Sequence, residues 1–277
     1  MERTIDITDS ENLNEWVARS LELFRNTSYL DNIMEVYPLE ITTPERIAPT
    51  LRRNIIRRHQ ARQTNELIQL LLTIDKFPYD DPIWYMIKNT QGCLNNNPRQ
   101  IERIANSLYA MTPEETVVRL ESPPKLNTQI GPMFNTWLRN NFELLSLENF
   151  RESIDGIYVL NESEEIAKNF LINELNQNVE KRPDLVVKVN EQYVIGEAKW
   201  IGQPGGNQDK QVEEVLQFCR NQRGNVLRIG IVDGFPWSLY NNKGNLINFK
   251  TAVLIQESEY DILSSLLLND YLDALNT

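Results

Sequence analysis

From about residue 10 to 120 apolar positions recur three and four residues apart, as in Leu13, Trp16, Val17, Leu21 and Phe24 and again in Leu67, Leu70, Leu71 and Ile74. That spacing predicts helices, and strand-like alternation is nearly absent there. Thr112 and Glu115 stand three apart ahead of Val117-Val118, with Pro113 at the first helical position, so a capping box opens a short helix at Thr112. Pro123-Pro124 and the polar residues up to Gln129 then break the pattern. The break divides the chain into a helical region over 1–122 and a second region over 123–277.

In the second region the period alternates. Gly131 to Phe142 reads as a helix with one apolar face, Ile154 to Leu160 as a short strand, and Ser163 to Leu175 as an amphipathic helix with acids in its first turn. Asp184 to Val189 and Tyr193 to Lys199 are two strands parted only by Asn190-Glu191-Gln192, which is a hairpin signal. A Gly-rich loop, Gly202 to Asn207, leads to a helix over Asp209 to Arg220. Val226 to Val232 is a buried strand, Ala252 to Ile255 a last strand, and Tyr260 to Leu275 a closing helix. The class is α/β, with a mixed sheet flanked by helices. No internal repeat is present.

Composition changes this picture only by exclusion. At 277 residues, 41% hydrophobic and 24% charged, the chain builds a sizeable core and is neither a disordered nor a fibrous protein. Its two cysteines, Cys93 and Cys219, lie too far apart in sequence for a thiolate metal motif or a disulfide framework, so a reducing, cytoplasmic compartment is expected. No apolar run approaches the ~20 residues of a membrane helix, and no membrane association is expected. The net charge of -11 argues against a protein that coats nucleic acid through a global positive field, but leaves room for a local groove. The acidity is uneven, with net -3 over residues 1–125 and -8 over the rest.

The chemistry concentrates at the hairpin, in Arg182-Pro183-Asp184-Leu185 and, across the turn, Gly196-Glu197-Ala198-Lys199. Side chains two apart on a strand share a face, so Glu197 and Lys199 point the same way while Ala198 points back into the packing. Asp184, at the start of the antiparallel neighbour, brings a second carboxylate to the same end of the sheet. Two carboxylates plus a backbone carbonyl suit Mg²⁺, which fills its octahedron with water and phosphate oxygens. A cation there polarises a phosphodiester, and Lys199 orients a water and offsets charge in the transition state. The plainer reading of the same three residues is a surface strand edge with a cross-strand ion pair.

Pro183-Asp184 followed by Glu197-Ala198-Lys199 resembles the core motif of the PD-(D/E)xK nuclease superfamily, and the order of elements around it is similar to that superfamily's common core. Within it, residues 130 to 256 most resemble type II restriction endonucleases, including the stretch Gly196-Glu197-Ala198-Lys199 with Gly205-Gly206-Asn207-Gln208 after it and the segment Ile231-Val232-Asp233-Gly234 with Trp237. Residues 1 to 120 carry no such likeness. The resemblance implies a restriction-endonuclease-like fold in which Asp184, Glu197 and the Ala198 carbonyl hold Mg²⁺ and Lys199 is the catalytic lysine. It also implies a homodimer cutting double-stranded DNA at a short site, and a cognate DNA methyltransferase that protects the host's own sites. One position departs from the pattern: where many members carry a further glutamate on the preceding helix, this chain has Asn135. Asn135, Gln211, Glu213 and Glu214 are therefore candidates for supporting roles around the cation.

A second cluster lies in the helical region, where Arg52, Arg53, Arg57, Arg58 and Arg62 crowd into a dozen residues with the only histidine, His59. On a helix Arg52, Ile55, His59 and Arg62 trace one stripe and Arg53 and Arg57 another. Arginine contacts phosphate and reads guanine bidentately, so these five, with Gln208, are the expected DNA-binding residues. A solvated face paired with nearby acids is the plainer alternative. Two other functions remain beside site-specific cleavage: a repair or recombination nuclease directed by DNA structure, and a non-catalytic DNA-binding protein on the same fold.

Overall fold

The computed structural model describes residues 13–38, 46–90, 92–122, 129–203, 205–238 and 249–276. The Pro123-Pro124 break, and Pro204 of the Gly-rich loop, lie outside the described residues. After α1 (Glu15–Asn26) and α2 (Tyr29–Asn32) come six helices in succession: α3 (Pro49–Gln60), α4 (Thr64–Leu72), α5 (Trp84–Asn89), α6 (Cys93–Asn96), α7 (Pro98–Tyr109) and α8 (Pro113–Glu121). No strand interrupts them among the described residues. The Thr112 capping box is formed, with the Thr112 hydroxyl accepting from the Glu115 N–H and the Glu115 carboxylate accepting from the Thr112 N–H.

The rest is α/β: α9 (Ile130–Asn141), β1 (Glu143–Leu145), α10 (Leu147–Glu152), β2 (Ile157–Leu160), α11 (Glu164–Asn173), β3 (Leu185–Val189), β4 (Gln192–Ile201), α12 (Asn207–Arg220), β5 (Leu227–Gly234), α13 (Lys250–Gln256), β6 (Ile262–Leu263) and α14 (Leu268–Leu275). The six strands form one mixed sheet in sequence order, antiparallel at β2–β3 and β3–β4 and parallel elsewhere. The predicted hairpin is present, with Val189 opposite Gln192 and a two-residue turn in which Asn190 takes a positive φ of 53°.

Alternation along the strands sends side chains to two separate cores. Val187, Val194 and Ile231 enter one core, whereas Val186 and Ile195 face Phe150 of α10 and Phe170 of α11. Gly230 permits the close seat of α12, because a Cβ there would lie 2.5 Å from a methyl of Val215. The membrane expectation gains one fact: among the described residues no helix is long and apolar enough to cross a bilayer.

Three expectations need correction. Ala252 to Ile255 is not a strand but part of α13, where Thr251, Ala252 and Ile255 supply the buried face; a four-residue apolar run carries no period to separate the two. The closing helix is only its second half, α14, because β6 and a short 3-10 turn at Ser265–Leu267 come first. Most consequentially, the described residues 13–38 group with 129–276, while 46–122 form the other compact unit. Trp16, Val17, Leu21 and Tyr29 enter the same core as the sheet, and a buried carboxylate ties them down. Asp233, at the end of β5, accepts hydrogen bonds from the Tyr29 hydroxyl (3.1 Å), the Tyr37 hydroxyl (2.9 Å), the Ser264 hydroxyl (2.6 Å) and the Ser265 N–H (3.1 Å). Burial pushes the Asp233 carboxyl up from its usual range, and these donors oppose the shift.

Candidate functional site

The site is built from the register of one hairpin. Leu185 pairs with Gly196, which leaves Asp184 at the strand entrance level with Glu197 and Ala198. One oxygen of Asp184, Oδ2, accepts the Ala198 N–H at 2.9 Å, so the carboxylate is fixed by the strand that carries Glu197. Glu197 is only 6% exposed, and its Oε1 accepts from the Lys199 ammonium at 2.9 Å. The face shared by Glu197 and Lys199, expected from their spacing, is thus an ion pair. Burial raises the Asp184 carboxyl above its usual range, and the Glu197 charge adds to this; the Ala198 N–H, Lys181 and Lys199 pull the other way.

Lys181 is the residue sequence reasoning missed. Its ammonium donates to the same Glu197 Oε1 at 2.7 Å. Burial works against the Lys181 charge, but the Glu197 hydrogen bond and charge, helped by Asp184 and Glu214, hold the ammonium above its ordinary value. The neighbouring Arg182 turns away and donates to the carbonyls of Leu160 (3.0 Å) and Glu162 (2.6 Å), which anchors the segment entering β3. Beside Glu197 opens a cleft of about 1030 Å³ bordered by Lys181, Lys210, Glu213, Glu214 and Arg228.

The supporting candidates fare unevenly. Glu213 is exposed and paired with Lys250 at 2.6 Å, while Glu214 borders the cleft without a salt-bridge partner among the described residues. Gln211 is half-buried on α12 and Asn135 exposed on α9, and the hydrogen bonds that Asp184 and Glu197 make among the described residues go instead to Ala198, Lys181 and Lys199. The side-chain carbonyl of Gln208 is buried without a hydrogen-bond donor among the described residues.

The arginine cluster divides. Ile55 and His59 of α3 are buried, and the His59 ring nitrogen meets the Leu108 carbonyl at 2.9 Å. The stripe through Arg52 is therefore the packed one, and Arg52 pairs with Glu121 at 3.4 Å. Arg58 donates to the Glu66 carbonyl at 2.8 Å, and Arg62 lies over the Tyr109 ring. Arg53 and Arg57 are exposed and, among the described residues, hold only neutral partners on their own helix, Thr50 and Asn54. Residues 46–122 carry 11 arginines and lysines against eight acids, so this helical unit is positive in an acidic protein.

The donor set for a cation is small and hard. Among the described residues no group of three His, Cys, Asp or Glu side chains converges as a ready metal cage. Asp184 and Glu197, however, are a half-buried and a buried carboxylate at neighbouring register positions, with Glu197 bordering the open cleft, and each keeps one oxygen to which no described residue donates. That set fits Mg²⁺, which takes one or two carboxylates and keeps several waters.

No curated protein and no solved structure matches the chain. A family model does, described as the Tsp45I type II restriction enzyme, and it spans residues 14–275. That match covers both compact units and includes every residue of the hairpin site, so the chain belongs to the Tsp45I type II restriction enzyme family.

Proposed function

We propose that this restriction enzyme cleaves duplex DNA at a short sequence by Mg²⁺-dependent phosphodiester hydrolysis at Asp184, Glu197 and Lys199. The observation that supports it most directly is a buried glutamate paired to a lysine two residues on, with an aspartate fixed across the hairpin, at the wall of an open cleft. In this reading Asp184, Glu197 and the Ala198 carbonyl hold the cation, which supplies Lewis-acid polarisation of the scissile phosphate. Lys199, held by Glu197 at the cleft, places its ammonium against the attacking water and offsets the charge that develops on the phosphate. The enzyme acts as a homodimer, because a two-fold protein matches a two-fold DNA site, and it is paired in the cell with a methyltransferase of the same specificity.

Incubating the purified protein with long mixed-sequence duplex, with and without Mg²⁺, tests this reading. Discrete fragments that need Mg²⁺ are expected. A smear would instead indicate cutting without sequence preference, and intact DNA would remove the catalytic reading.

The helical unit supplies phosphate contacts through Arg53 and Arg57, whose guanidiniums are exposed and bound to no acid among the described residues. Arg53→Ala and Arg57→Ala are each expected to weaken DNA binding and lower the slope of log K against log salt by about one. Arg52→Ala, whose guanidinium pairs with Glu121, should leave that slope close to the wild-type value. Equal slopes in all four proteins would return the cluster to an ordinary solvated face.

A further inference from the structure

We propose that Lys181 is a displaceable counter-charge, a positioning residue that holds the Glu197 carboxylate in place while no cation is bound and yields when one arrives. The inference rests on the proposed role of Glu197 as a cation ligand and adds a residue to it. Two ammonium groups converge on a single oxygen, Oε1, at 2.7 and 2.9 Å, while no described residue donates to Oε2. A carboxylate as buried as Glu197 needs compensation, and one lysine would satisfy the pairing. The two lysines differ in how they are held. Lys199 is fixed on β4 with its side chain 19% exposed, whereas Lys181 reaches in from the segment between α11 and β3 with its side chain 57% exposed. A divalent cation on Glu197 places positive charge within a few ångströms of both ammoniums, and the repulsion is relieved at least cost by the exposed, flexible one. The Lys181 ammonium then points into a cleft where a DNA phosphate is its natural partner. Cation affinity is thereby kept low until substrate arrives.

The test is Mn²⁺ binding to the full-length protein without DNA, followed by the electron paramagnetic resonance signal of free Mn²⁺, in the wild type, Lys181→Met, Lys181→Arg and Glu197→Gln. Lys181→Met keeps the stem and removes the charge, so it is expected to bind Mn²⁺ about threefold to fivefold more tightly, the size of a partly exposed ion pair. Lys181→Arg should restore affinity near the wild-type value. Glu197→Gln should weaken Mn²⁺ binding at least ~10-fold, since one of two carboxylate ligands is gone. Unchanged or weaker binding in Lys181→Met, with Glu197→Gln behaving as expected, overturns the role of Lys181 alone. If Glu197→Gln leaves Mn²⁺ binding intact, the ligand assignment of Glu197 falls and this inference falls with it.

Discussion

Asp184→Asn, Glu197→Gln and Lys199→Ala are each expected to lower the single-turnover rate of DNA cleavage by about 10³-fold or more. The size follows from the role. A cation and a fixed ammonium that act on charge in the transition state contribute several kcal/mol, and about 4 kcal/mol is a factor of ~10³. The substitutions separate chemistry from folding by design. In Asp184→Asn the amide oxygen still offers an acceptor to the Ala198 N–H, which the Asp184 carboxylate accepts at 2.9 Å, so the hairpin register is preserved while the charge is lost. Lys199→Ala removes one ammonium from Glu197 but leaves Lys181 on the same oxygen, so the buried carboxylate keeps a partner. DNA binding should accordingly survive best in Lys199→Ala. Rates within tenfold of the wild type in all three variants would show that the chemistry lies elsewhere in the chain.

The part of this site that could be read from the sequence is the part set by strand periodicity. Glu197 and Lys199 share a face because alternate residues on a strand always do, and Asp184 joins them because the turn at Asn190-Glu191 fixes the register. Thr112 was legible for the same reason, since a capping box is local in sequence. Lys181 was not. It reaches Glu197 from an irregular segment whose path is set by Arg182 bonding to distant carbonyls, and no spacing encodes that. The arginine cluster shows an intermediate case: helical period separated the two stripes correctly, but which one faces the core depends on Ile55 and His59 meeting α7. The grouping of residues 13–38 with the sheet was hidden too, because the bonds that make it join residues about 200 positions apart.

Those long-range bonds define the second large effect, on stability. Asp233→Ala is expected to destabilise the protein by about 3–5 kcal/mol, because it removes a wholly buried carboxylate and strands its donors. Three hydroxyls, of Tyr29, Tyr37 and Ser264, and the Ser265 amide all lose their acceptor at once. Tyr29 in turn accepts from the Gly234 N–H at 3.0 Å, so the disturbance reaches the turn that follows β5. Asp233 also stands opposite Trp200 in the parallel pairing of β4 with β5, and Trp200 lies three residues beyond Glu197 on β4. The same carboxylate therefore fastens the Tyr29–Tyr37 segment and the Ser264 turn to β5, the strand paired with the one that presents Glu197. Asp233→Asn is expected to cost less, since an amide keeps one acceptor for the Oδ1 donors while its NH₂ opposes the Tyr37 hydroxyl. Urea unfolding of both variants, followed by tryptophan fluorescence because Trp16, Trp200 and Trp237 report on this core, measures the difference. A loss below about 1 kcal/mol in Asp233→Ala would mean that water replaces the carboxylate without strain, and that the N-terminal segment is held by its apolar contacts alone.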